Sequence, residues 1–169
     1  RLSDGYATVN GVTYHYVTAG EGPLVIFYHG FPSFWYAWKY QLGALAQHYR
    51  VVAIDGLGSN LSDKPAAIER YRIDKLAQDL NQFALQVGGN TPFTLIGHDW
   101  GGSLAWAFAQ GYPERLNKLV VLNAPPYNIF QELLRNNEQQ QKTSTYMDFL
   151  KHPWGCLLYT SDAADEEDS

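Results

Sequence analysis

The spacing of apolar positions along this chain changes several times, and each change predicts an element. Residues 6–9 and 12–18 are rich in Tyr, Thr and Val and flank Asn10-Gly11, a dipeptide suited to a two-residue hairpin turn. After the turn Gly20-Glu21-Gly22-Pro23 comes Leu24-Val25-Ile26-Phe27-Tyr28, an unbroken apolar run of the kind found in strands buried on both faces. The pattern then predicts a loop over 29–33, a helix over 34–48, a strand over 50–54, a polar loop over 55–70 and a helix over 73–87. A second buried strand follows at 93–96, then a helix at 100–110 and a strand at 119–122. Strands alternating with helices imply βαβ units, so the fold class is α/β: a mostly parallel sheet with helices on both faces. The opening hairpin adds an antiparallel edge. Beyond Pro125 a polar helical stretch, 131–142, and the segment 146–150 depart from this alternation. They are expected to form an excursion from the sheet rather than another unit.

Composition narrows the picture. The chain has 169 residues, 46% of them hydrophobic and 17% charged, enough for one domain with its own core and ordinary for a soluble enzyme. No apolar run reaches the length of a membrane span. The net charge of −5 arises at the end of the chain, where Asp162, Asp165, Glu166, Glu167 and Asp168 have no basic neighbours. The remaining acids equal the 12 basic residues, so there is no basic patch and no electrostatic case for nucleic acid. The single cysteine, Cys156, forms no internal disulfide. No signal peptide is evident and a cytoplasmic location is expected, although the first residue is Arg1 rather than Met, so an upstream signal stays open. Residues from Cys156 to Glu166 resemble one translated frame of a transposon-end adapter used in sequencing libraries. Residues 156–169 are therefore expected to be an artefactual tail and are set aside from fold reasoning.

The chemistry concentrates at Gly97-His98-Asp99-Trp100-Gly101-Gly102, between a buried strand and a helix. This is the strand-turn-helix setting of a nucleophile elbow, in which flanking glycines avoid a clash and the central side chain stands at a helix N-terminus. Here that side chain is a carboxylate, already charged at neutral pH and favoured by the helix end. An Asp that merely caps the helix would give the same letters. A second signal, His29-Gly30-Phe31-Pro32, follows the earlier buried strand. From there the amide of Phe31 is expected to converge with that of Trp100 on one oxygen beside Asp99, forming an oxyanion hole.

In this order and spacing, the motifs resemble those of epoxide hydrolases of the α/β-hydrolase superfamily. The resemblance runs from near residue 4 to about Gly155. It is carried by the stretches 29–41, 61–65, 96–102, 112–115, 119–125 and 146–150. It implies the α/β-hydrolase fold, with the N-terminal part of the core over 4–127 and the start of a lid over 128–155. It also implies that Asp99 opens an epoxide to give a hydroxyalkyl ester, with Phe31 and Trp100 acting through their backbone N–H groups. His29, Gly30, Pro32, Gly97, His98, Gly101 and Gly102 support the two motifs. Tyr146 matches one of two lid tyrosines that protonate the leaving alkoxide, a role suited to a phenol in a dry pocket; packing within the lid would equally account for it. The substrate is expected to be a small apolar epoxide, with no cofactor and no metal. Oligomeric state is not legible.

Two departures stand out. The usual Asp-x-Arg-Gly-Tyr-Gly loop reads Asp55-Gly-Leu-Gly-Ser-Asn60, so the arginine and its salt bridge are missing, and Asn-Ala-Pro-His-Pro reads Asn123-Ala-Pro-Pro-Tyr127. The fold orders its machinery as nucleophile, acid, histidine. Of five histidines, His15, His29 and His48 precede Asp99, His98 adjoins it and points away, and only His152 follows, where a surface position is expected. The chain as written is thus expected to be truncated at the start of the lid, to lack the acid and base, and to be inactive in turnover. Three alternatives stay open. A haloalkane dehalogenase shares the Asp elbow, but it usually carries Asn at the place of Phe31. Another α/β-hydrolase chemistry is possible on the same fold. A non-catalytic fragment that binds apolar ligands is the third.

Overall fold

The structure, a computed structural model, describes residues 1–147; His152, Cys156 and the acidic stretch 156–169 lie outside the described residues. The chain divides into two compact units, Arg1–Ala124 and a second that begins at Pro125.

The first unit is built on a six-stranded sheet in the order β1-β2-β4-β3-β5-β6. Strands β1 (Ser3–Val9) and β2 (Val12–Ala19) form the hairpin, with Asn10 and Gly11 both at positive φ, the backbone that this turn needs. Strand β2 pairs antiparallel with β4 (Arg50–Ile54), and β3 (Leu24–Tyr28), β4, β5 (Phe93–His98) and β6 (Leu116–Leu122) run parallel to one another.

Alternation along β3 and β4 divides the core in two. Ile26, Tyr28, Val52 and Ile54 face one side, with Leu80, Phe83 and Ala84 of α2 (Ile73–Gly88) and Leu104, Ala105 and Phe108 of α3 (Trp100–Gly111). Val25, Phe27, Val51 and Ala53 face the other, under Trp38 and Leu42. Helices therefore cover both faces, because each central strand is apolar on both. Buried Asp79 of α2 accepts hydrogen bonds from Asn10 Nδ2 (2.9 Å), Tyr14 Oη (2.6 Å) and Arg70 (2.6 Å), which fastens the hairpin to α2. Arg115 donates to Asn81, Asn90 and the carbonyl of Gly89, so its charge sits where the C-terminal end of α2 attracts a cation.

The elements differ from the sequence expectation in three places. The helix expected over 34–48 is a 3-10 turn, Trp35–Trp38, followed by a short α1, Lys39–Leu45. The first amide of that turn, Trp35 N–H, donates to the carboxylate of Asp55. Strand β6 begins three residues before the expected 119 and takes in Asn117 and Lys118, polar residues that an edge tolerates. In the second unit, the helix expected over 131–142 is two: α4 (Tyr127–Asn136) and α5 (Glu138–Thr143). Asn137 leaves helical geometry between them, and its side chain accepts the amide of Gln140, capping α5.

Candidate active site

The site starts at the end of β5. Asp99 has φ 53° and ψ −121°, a left-handed conformation that a non-glycine residue adopts at a cost of about 1–3 kcal/mol. The glycines around it permit this turn. A Cβ on Gly97 would run into the Gly101 carbonyl, and one on Gly101 would run into the carbonyls of Tyr28 and His29. The turn therefore tolerates no side chain at either position.

The Asp99 side chain makes no cap bond to its helix, which removes the capping explanation for the motif. Its Oδ1 instead accepts the amide of Phe31 at 3.0 Å, across 68 positions of sequence. Gly30 makes that approach possible, since a Cβ there would lie 2.5 Å from Asp99 Oδ1. The main chain of Asp99 is held as well, its N–H donating to the Leu122 carbonyl (3.1 Å) and its carbonyl accepting Ser103 N–H (3.0 Å). The strained residue is thus fixed from β6 and from its own helix. Trp100 opens α3, so its amide belongs to the first turn, where N–H groups have no partner within the helix.

The loop that carries Phe31 is pinned at both ends by two consecutive residues after β4. His29 Nε2 accepts Gly56 N–H (2.8 Å), and Trp35 N–H donates to Asp55 Oδ1 (2.8 Å). An acceptor at Nε2 puts the His29 proton on Nδ1, where it meets the Gly30 carbonyl at 2.7 Å. The ring is therefore neutral, and burial holds its pKa below the usual histidine value. Between these pins, the Phe31–Pro32 peptide is cis.

His98 is half-buried and sits edge-on to Trp38, 6.5 Å between ring centres. Gly102 packs against Val121 and Ala124. Phe31 and Trp100 are 46% and 58% exposed, so apolar side chains open to solvent on both residues whose amides were singled out. Tyr146 lies in the second unit and is 47% exposed. Among the described residues no cluster of His, Cys, Asp and Glu could hold a metal ion, and no helix is long and apolar enough to cross a membrane.

Sequence reasoning missed His15 and its link to Asp55. Asp55 is fully buried and accepts His15 Nδ1 (2.7 Å), Asn60 Nδ2 (2.8 Å) and the Trp35 amide. Among the described residues the Asp55 carboxylate thus has a buried histidine as its partner. The signal was a His in β2 placed opposite the Asp that follows β4, as Asp55 N–H donating to the His15 carbonyl (2.9 Å) shows.

The family model described as the alpha/beta hydrolase fold matches residues 23–166, most of the chain and all of the elbow. The chain belongs to the α/β-hydrolase-fold family. Relatives of this α/β-hydrolase include human epoxide hydrolase 4, 43% identical over 147 residues, which cover 86% of this chain and 40% of that protein. Mouse epoxide hydrolase 3 is 41% identical over 86% of this chain and 40% of its own length. A Bacillus megaterium epoxide hydrolase crystallised with an inhibitor superposes with a TM-score of 0.83 at 42% identity, covering 88% of this chain and 52% of that one. The α/β-hydrolase described here thus spans between about two fifths and half of the length of these relatives.

Proposed function

We propose that this α/β-hydrolase domain belongs to an epoxide hydrolase and that Asp99 is the nucleophile that opens the ring. The observation that carries the reading is the hydrogen bond from Phe31 N–H to Asp99 Oδ1. With Oδ1 held by an amide, Oδ2 attacks an epoxide carbon, the carbon–oxygen bond of the ring breaks, and an ester forms between Asp99 and the alcohol. The leaving alkoxide needs a proton, and the resemblance rather than any measured distance nominates Tyr146 as the phenol that gives it. When water later attacks the ester carbon, negative charge develops on Oδ1, where the Phe31 amide and the first-turn amide of Trp100 would stabilise it. That second half needs a base. In the order expected of the fold only His152 follows Asp99, so we propose that the 169-residue chain forms the ester and retains it.

The exposed side chains of Phe31 and Trp100 favour a small apolar epoxide. Phe31 also argues against the dehalogenase alternative, because its side chain offers a departing halide no hydrogen-bond donor. The test is intact-mass spectrometry of the chain incubated with styrene oxide or with a bromoalkane of similar size. The expected result is one added epoxide per chain, faster than any alkylation by the bromide and absent in Asp99→Ala. Preferential reaction with the bromide would favour a dehalogenase instead.

A further inference from the structure

The loop carrying the Phe31 amide is held from a distance by buried polar groups that take no part in the proposed chemistry. Its two pins, Gly56 N–H on His29 and Asp55 on Trp35 N–H, come from adjacent residues, so whatever fixes Asp55 fixes both ends of the loop. Asp55 is wholly buried, and an uncompensated buried carboxylate is costly unless it is paired. Its pairing runs outward across the sheet. His15 Nδ1 donates to Asp55 Oδ2 at 2.7 Å, and His15 Nε2 meets Asp4 Oδ1 at 3.1 Å. His15 is itself buried, whereas the Asp4 side chain is 75% exposed. The contacts of His15 are completed by the ring of Tyr6 at 5.1 Å and by Ser62 Oγ, which accepts the His15 backbone N–H and donates to the Asp55 carbonyl. Asp4 lies on the outermost strand, with β2, β4 and β3 between it and β5, which leads into Asp99.

We propose that His15 and Asp55, with Asp4 as the outer member, are positioning residues that set the Phe31 amide against Asp99 Oδ1. This rests on the reading of Asp99 as the nucleophile. A ring whose Nδ1 donates to Asp55 Oδ2, and whose far side lies against Asp4, holds Asp55 in one rotamer. That rotamer presents Oδ1 to Trp35 N–H and keeps the chain between His29 and Trp35 at the depth where Phe31 reaches Asp99. Hydrogen bonds in such a series reinforce one another, so a change at either end is felt along it. An amide aimed at a reacting carboxylate loses effect steeply with displacement.

The test uses the 169-residue chain and measures the rate of ester formation on Asp99 against epoxide concentration, the Phe31 and Trp35 amide NMR signals, and the thermal melt. His15→Ala is expected to lower the saturating rate about tenfold, to leave the half-saturating concentration unchanged and to move both amide signals. His15→Asn, whose amide nitrogen can occupy the place of Nδ1, is expected to recover most of the rate and both signals. Asp4→Ala, an exposed change, is expected to keep the native melt, lower the rate about twofold and move the same signals to a smaller extent. A folded His15→Ala with the wild-type rate and unmoved amides overturns the proposal. If that variant does not fold, unmoved amides and an unchanged rate in Asp4→Ala overturn it. If the wild-type chain forms no ester, the nucleophile reading fails, and the amide signals alone decide whether His15 sets the loop.

Discussion

At Asp99 a left-handed backbone, two glycines that admit no Cβ and an amide from a distant loop all serve one carboxylate. Strain of this kind persists only where the surroundings overdetermine it, and here the Leu122 carbonyl and the first turn of α3 do so. The glycine requirement and the reach of Phe31 were legible in the sequence, because spacing and residue type carry them. The pairing of His15 with Asp55 was not, because it depends on the register between β2 and β4, and a lone histidine in a strand gives no hint of its partner. His29 leads to a pH prediction. Its folded-state pKa is lowered by burial, so below about pH 6.5 the unfolded chain takes up a proton that the native chain refuses. The contribution is full above that pH and is lost as pH falls toward the lowered native value. The melting temperature is therefore expected to fall between about pH 7 and pH 5, while the His29 ring NMR signals keep their neutral positions. A His29 ring that titrates like a free histidine in the folded protein would contradict this.

The central strands were readable from their apolar runs alone, since β3 and β4 are buried on both faces and β5 alternates buried with half-buried positions. Helices α2 and α3 were equally clear, and α2 is capped just past its end by Gly89, whose φ of 68° provides a helix stop. What escaped was local competition for hydrogen bonds. Trp35 N–H goes to Asp55 instead of continuing a helix, and Asn137 uses its side chain to begin α5 where the pattern implied one helix through 142. Neither follows from periodicity, because in both a polar side chain overrides the apolar spacing. The weight carried by α2 can be measured. Phe83 is fully buried, meeting the rings of Tyr14 and Tyr16 from the hairpin. Phe83→Ala is expected to cost about 3–5 kcal/mol in denaturant unfolding, and a loss below about 1 kcal/mol would show that α2 does not anchor the hairpin.

Across the whole molecule, the described residues divide between a sheet unit that carries Asp99 and the Phe31 amide and a helical unit that carries Tyr146. Family membership rests on the match over residues 23–166, and the relatives named as epoxide hydrolases are about 40% identical over the shared length. The order of motifs along the chain made this kinship legible. The substrate remained out of reach of the motifs, because pocket shape is not written in the elbow. The central claim is that Asp99, rather than another side chain able to react with an epoxide, forms the bond. Histidines and the single cysteine, Cys156, also react with epoxides, so the mass of the adduct does not by itself locate it. Peptide mapping by tandem mass spectrometry, after reaction with styrene oxide and acid quench, locates it directly. The account predicts an ester on Asp99 in the peptide that spans the elbow, lost in Asp99→Asn; an adduct on Cys156 or a histidine, with Asp99 unmodified, would contradict it.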